Sequence, residues 1–237
     1  MSTEETPGPS PRATAREDFI KRLFAVTLSV GIASQITRVV FDPSHITQHT
    51  LDWTPVLAQW RALLLLGTSL IIVVSSWEGY LNAVRRIPLE DAPRFWIDIF
   101  LVFSYLFLTL SSNIYDLWFS IHVLIFLEYL VWDMFRAKLP AYKMEIRKNP
   151  RRTHQLSMIV TIVWLAYFVA ILALKQYFIY FSTPVGFTAI AVAALAGVVL
   201  YRRDKEYRWT WPTKGFATLA PLLMLLLFEF LNISLHS

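Results

Sequence analysis

The sequence predicts an all-α, polytopic membrane bundle of about seven transmembrane helices, with the N-terminus inside and the C-terminus outside. Three observations predict it. Hydrophobic residues make up 56% of the 237 residues and charged residues only 16%, whereas soluble domains carry about a quarter charged residues and long uncharged apolar runs mark membrane spans. Nineteen of the twenty-two Lys and Arg residues fall into four clusters that alternate with apolar runs, and basic charge in short loops keeps those loops on the cytoplasmic side. Trp53, Trp60, Trp96, Trp118, Trp132, Trp209 and Trp211 stand near the ends of the apolar runs, where an amphipathic indole sits at headgroup level.

Taken in order, residues 1–18 (MSTEETPGPSPRATARED) combine prolines, acids and arginines with almost no bulky apolar side chain, the composition of a disordered cytoplasmic tail. Arg12, Arg16, Lys21 and Arg22 lead into helix one, residues 19–41. That layout also fits a signal peptide with a cleavage site at Gly31-Ile32-Ala33, but the apolar character resuming through Val39, Val40 and Phe41 favours an uncleaved helix. Residues 42–59 hold no Lys or Arg and are placed outside. Helix two covers 60–81; Arg85, Arg86 and Arg94 then surround an inside turn with Pro88 and Pro93. Helix three covers 95–110 and helix four 116–135, joined by a short uncharged outer connection. The most basic loop follows, with Arg136, Lys138, Lys143, Arg147, Lys148, Arg151 and Arg152 against the single acid Glu145. Helix five covers 156–181, and Ser182-Thr183-Pro184 turns the chain into helix six, 185–201. Arg202, Arg203, Lys205, Arg208 and Lys214 precede helix seven, 215–230. Residues 19–237 thus read as one transmembrane domain, in a plasma or bacterial inner membrane. The order is the reverse of rhodopsin-like receptors, and helix seven has no lysine to hold a retinal.

The net charge of +5 lies in loops beside the spans, so the expected partners are the bilayer and anionic lipid headgroups rather than nucleic acid. The basic loop 136–152 doubles as a candidate site for lipid or a cytosolic partner. Cysteine is absent, which removes disulfides, thiolate metal sites and cysteine nucleophiles. Small residues recur every fourth position at Ala25, Ser29 and Ala33 and again at Ala189, Ala193 and Gly197. Such rows let helix backbones approach closely, within one chain or, in the sharper reading, in a homo-oligomer.

Ionisable residues inside the spans carry the functional expectation, since each costs about 3 kcal/mol at a helix centre. Glu128 stands in the middle of helix four, Glu78 and Asp98 on the inner halves of helices two and three, and Asp133 near the inner end of helix four. Arg38, His122 and Glu229 share an outer depth. These depths predict an inner cluster of Glu78, Asp98 and Asp133 with Arg85, Arg86, Arg94 or Arg136, an outer cluster of Arg38, His122 and Glu229, and Glu128 between them. Carboxylates at successive depths are what a proton or small-cation route is built from. The competing reading pairs the same charges to lock helices together.

The run WEGYLNAVRR, a proline-containing turn and then RFWID resembles the second and third helices of voltage-sensor domains. Helix four lacks the basic residue at every third position that would sense voltage, so the resemblance ends there. In the outer loop DPSHITQHTLD, His45 and His49 lie between Asp42 and Asp52. On a helical turn the two imidazoles would share a face and, with a carboxylate, form an incomplete zinc or copper ligand set. That loop is the basis of an enzyme reading, a membrane enzyme acting on lipid or on a metal-bound substrate, which ranks below the transport reading and below a scaffold or effector subunit. No cofactor is otherwise expected.

Overall fold

The computed structural model describes residues 9–39, 41, 46–47, 50–51, 59–86, 88–136, 138 and 154–174, with Gly186, Thr188, Ile190, Ala191, Val192, Ala194, Leu195 and Val198. Five helices run in chain order: α1 Pro11–Val39, α2 Trp60–Arg86, α3 Ala92–Leu110, α4 Tyr115–Arg136 and α5 His154–Leu174. The eight positions from Gly186 to Val198 are also helical, and Ile190, Ala191, Ala194 and Val198 are buried. Among the described residues the strands are a two-stranded antiparallel pair, β1 Ile46–Thr47 against β2 Thr50–Leu51, with Ile46 opposite Leu51. Among the described residues, four helices are long and apolar enough to cross a membrane: Pro11–Val39, Trp60–Arg85, Ala92–Leu110 and Tyr115–Phe135. The expected helix seven lies outside the described residues.

Each helix begins and ends where local chemistry dictates. Ser10 caps α1, its Oγ accepting from the Ala13 N–H at 3.2 Å, with Pro11 in the first turn where no intrahelical N–H is needed. The helix therefore starts eight residues before the expected 19. It is 29 residues long, about 43 Å at 1.5 Å per residue, longer than a hydrocarbon core of about 30 Å. Asp91 sits extended before α3, and Pro93 occupies its first turn. The α3–α4 connection covers 111–114, within the uncharged stretch 111–115 that predicts it. Ser111 N–H donates to Phe107 O at 2.9 Å, and Ile114 N–H to Ser111 O at 2.8 Å.

α3 is the hub. α1 packs chiefly on it, α4 lies along its other flank, and α5 packs on α4. Large apolar side chains such as Val74, Phe100 and Val131 remain exposed on the outside of the bundle, as lipid-facing residues do. The small-residue row expected in helix one is not the face that α1 buries within the chain. Its buried stripe is Ala13, Ile20, Phe24, Thr27, Gly31, Gln35 and Val39, whereas Ala25, Ser29 and Ala33 are all exposed. Gly31 alone makes the tight approach: a Cβ there would overlap the Thr109 hydroxyl and lie 3.2 Å from Thr109 Cβ. Ser29 turns its hydroxyl back to Ala25 O at 2.7 Å. The second small-residue row, Ala189, Ala193 and Gly197, lies outside the described residues.

Candidate functional site

Along the α2–α3–α4 interface the buried side chains are not all apolar. They form a column of polar groups, and the column contains two of the acids singled out by depth. At the end where α2 turns into α3, Arg94 and Asp98 lie one helical turn apart on α3 with Nε and Oδ2 3.9 Å apart, each side chain 3% exposed. Trp132 of α4 donates its indole N–H to Asp98 Oδ1 at 3.1 Å. The Arg94 guanidinium lies 5.8 Å over the Trp132 ring and donates to Pro88 O at 3.3 Å. Indole and carbonyl partners help to offset the desolvation that makes a buried ion pair expensive.

Six residues further along α3, about 9 Å of helix rise, Ser104 Oγ donates to Glu128 Oε1 at 2.8 Å. Glu128 Oε2 is sealed from solvent and has no hydrogen-bond partner among the described residues. Next to this pair the Tyr129 hydroxyl lies 2.8 Å from the Tyr105 hydroxyl and 2.9 Å from Ser76 Oγ on α2. This is a three-hydroxyl chain across three helices. Towards the α3–α4 turn, Trp118 donates to Ser69 Oγ at 2.8 Å, and Ser69 in turn donates to Leu65 O at 2.7 Å. Gln35 closes the far end, donating to Leu110 O at 2.8 Å and accepting from Ser112 Oγ at 3.2 Å.

The expected inner cluster is assembled only in part. Arg94 and Asp98 meet. Asp133 is fully buried on α4, one residue beyond Trp132. Glu78 and Arg85 are exposed on α2, and no bond among the described residues joins Glu78 to the Arg94–Asp98 pair. The side chains of Arg86 and Arg136 lie outside the described residues. Of the outer cluster, Glu229 also lies outside them, and the other two members are held by different groups. Arg38 is exposed and donates both terminal N–H groups to the Asn113 amide oxygen at 3.0 and 3.1 Å, with that amide turned to accept. His122 is fully buried. Its ring lies 4.0 Å from the Trp118 ring and 5.2 Å from Phe168 of α5. His122 Nδ1 lies 2.9 Å from Trp118 O, which puts its hydrogen on Nδ1 and leaves Nε2 as a buried acceptor with no partner among the described residues.

The remaining candidates fall elsewhere. Asp42, His45, His49 and Asp52 lie outside the described residues. The hairpin at Ile46–Thr47 and Thr50–Leu51 occupies the stretch where a helical turn was to bring the two histidines together. Among the described residues no group of three or more His, Asp or Glu side chains is placed to hold a metal ion. In the basic loop Lys138 is exposed, with its N–H on Phe135 O at 3.0 Å, and Lys143, Arg147, Lys148, Arg151 and Arg152 lie outside the description.

The sequence alone gives no site role to Ser104, Tyr105, Tyr129 or Ser76, because a lone serine or aromatic in an apolar run looks unremarkable, and it marks Trp132 only as an interfacial residue. Asp98–Trp132, Ser104–Glu128 and Tyr105–Tyr129 are separated by 34, 24 and 24 residues. Counting outward from the 111–114 turn misses each of these partners by about a helical turn or more, so chain spacing alone does not find them. No family model, curated protein or solved structure matches this chain, so the site's own chemistry carries the functional argument.

Proposed function

We propose that this protein conducts protons or small cations across its membrane through the α2–α3–α4 polar column, with Glu128 as the central group. One observation carries the reading. Glu128 is deep in a spanning helix, spends one oxygen on Ser104 and keeps the other buried with no partner among the described residues. A carboxyl group so placed is expensive to keep for helix packing alone, and its open oxygen can take up and release a cation or a proton. Asp98 supplies a second carboxylate towards the α2–α3 turn, and the Ser76–Tyr129–Tyr105 hydroxyl chain is built from Ser76 and the residues that follow Ser104 and Glu128 in α3 and α4. The alternation of basic loops supports placing the N-terminus and that turn inside, in a seven-helix chain of a plasma or bacterial inner membrane.

The test is flux from liposomes holding purified protein, under proton, sodium and potassium gradients with and without an imposed potential. Glu128→Gln keeps an acceptor for Ser104 but removes the charge, so flux is expected to vanish while the protein stays folded. Undiminished flux in the well-folded variant would sink the reading.

The exposed row Ala25, Ser29 and Ala33 on α1 favours a second reading, a membrane scaffold or effector subunit that binds a partner helix through that row and lipid through the basic loop. Silence of the wild type under every gradient, with partner or lipid binding lost when Lys143, Arg147 and Lys148 are neutralised, would select it.

A further inference from the structure

The turn between α2 and α3 is held from two sides. Arg94 of α3 donates to Pro88 O at 3.3 Å, while Arg16 of α1 donates to Leu89 O at 3.0 Å and to Glu90 O at 2.5 Å. Two guanidiniums from different helices thus occupy three consecutive carbonyls. Ser10 completes the grip: its backbone N–H donates to Glu90 Oε1 at 3.1 Å and its hydroxyl to Glu90 Oε2 at 2.7 Å. Arg16 also covers the Phe95 ring at 5.4 Å, and Leu89 beneath the contact is fully buried. The start of α1 is therefore fastened to the same turn that holds the buried Arg94–Asp98 pair.

We propose that this contact is a latch and that Ser10 is its modification point, opened when a proline-directed protein kinase transfers a phosphoryl group from ATP to the Ser10 hydroxyl. The inference rests on the inside placement of the N-terminus proposed above, where ATP is available. Three features single out Ser10. It is followed by Pro11 and Arg12 and preceded by Pro9. Its hydroxyl is one of the two donors in the contact with Glu90, and the shorter of the two bonds. It stands at the first turn of a helix longer than the hydrocarbon core.

In the transfer Ser10 Oγ attacks the γ-phosphorus of ATP. The new O–P bond forms as the bond to the bridging oxygen breaks, ADP leaves, and the hydroxyl proton passes to the kinase's catalytic base. The product has lost the O–H that bonds Glu90 and carries nearly two negative charges against that carboxylate. The phosphate oxygens still accept from the Ala13 N–H and gain Arg12 as a neighbour, so α1 keeps its cap while the Ser10–Glu90 tether is lost and Arg16 is left to hold the turn against the new repulsion.

The full chain has no cysteine, which makes a distance measurement clean. Spin labels on Ala15→Cys and Ala92→Cys, both at exposed positions, report the latch in lipid nanodiscs. Treatment with a proline-directed kinase and ATP is expected to place phosphate on Ser10 by mass spectrometry and to cut the short-distance population severalfold. Ser10→Asp is expected to do the same without the kinase. Because aspartate caps helices as well as serine, that change reports the contact and not loss of the helix. Adding Glu90→Lys to Ser10→Asp is expected to restore the short distance. Failure of the kinase to modify Ser10 would overturn its role as the modification point, and an unchanged distance in the phosphorylated protein or in Ser10→Asp would overturn the latch. Labelling of Ala15→Cys by an impermeant maleimide from outside intact cells would overturn the inside placement. Flux measured in the same preparations keeps a failure of the latch distinct from a failure of the conduction reading.

Discussion

Gly31→Ala tests the packing that holds α1 to the column. The added methyl would overlap the Thr109 hydroxyl, with Thr109 Cβ 3.2 Å and Leu106 Cδ1 3.4 Å away. Thr109 cannot swing clear without loss, because it is fully buried and its hydroxyl donates to Leu106 O at 2.7 Å. Overpacking of this kind costs about 1–3 kcal/mol, while exchanging glycine for alanine in a helix contributes up to about 1 kcal/mol in the other direction. Because the overlap falls on a buried hydroxyl that cannot yield, the clash outweighs the gain, and a net loss of up to about 2 kcal/mol is expected. Gly67→Ala on α2 is the internal control, since a methyl there meets nothing within 4 Å and reads the propensity gain alone.

The assay is reversible unfolding in mixed micelles, followed by helix circular dichroism. Thr109→Ala by itself gives up a hydrogen bond worth about 1 kcal/mol, so the double variant is judged against both single ones in a cycle. Removing the hydroxyl should let the Gly31→Ala methyl in and recover most of its loss. Equal stability of Gly31→Ala and Gly67→Ala, or strictly additive losses in the cycle, would refute the close approach of α1 to α3.

Three further expectations concern charge and hydroxyls. Asp98→Asn leaves the Arg94 charge buried beside a neutral amide and is expected to cost about 3 kcal/mol, with much of it recovered in Asp98→Asn/Arg94→Gln; the same unfolding assay measures both. Tyr129→Phe keeps the ring and severs both links of the Ser76–Tyr129–Tyr105 chain, for a loss of about 1–2 kcal/mol; a sharp fall in flux beyond that of Trp118→Phe would place the chain on the conduction path. For the latch, hydrogen bonds from the Ser10 hydroxyl and N–H hold the Glu90 carboxyl below its ordinary value, helped by the nearby Arg16 and Arg12. A lowered carboxyl pKa stabilises the contact above the ordinary glutamate range, and the contact is lost as pH falls through that lowered value. The label pair should therefore stay close through mildly acidic pH and separate only in stronger acid. Separation near neutrality would contradict this account.

The sequence by itself determined the properties that depend on local composition. Helices over 60–81, 95–110 and 116–135 reappear as α2, α3 and α4 with ends shifted by a few residues, because apolar runs, prolines and uncharged turns act on the segment that contains them. It also located Glu128 and Asp98, since an acid in an apolar run is visible without knowing its neighbours. Rotation about each helix axis was another matter. Helix one is amphipathic only weakly, so nothing in its spacing marked Gly31 as the inward residue or Ala25, Ser29 and Ala33 as outward ones. Equal depth likewise suggested that Arg38 and His122 meet, yet Arg38 is held by Asn113 and His122 packs on Phe168. Depth follows from counting residues along one helix, whereas partnership requires two helices to turn the right faces to each other. Only tertiary packing decides that. It set Ser104 against Glu128 and Ser10 and Arg16 against the α2–α3 turn, by bringing together groups whose separation along the chain leaves no periodic trace.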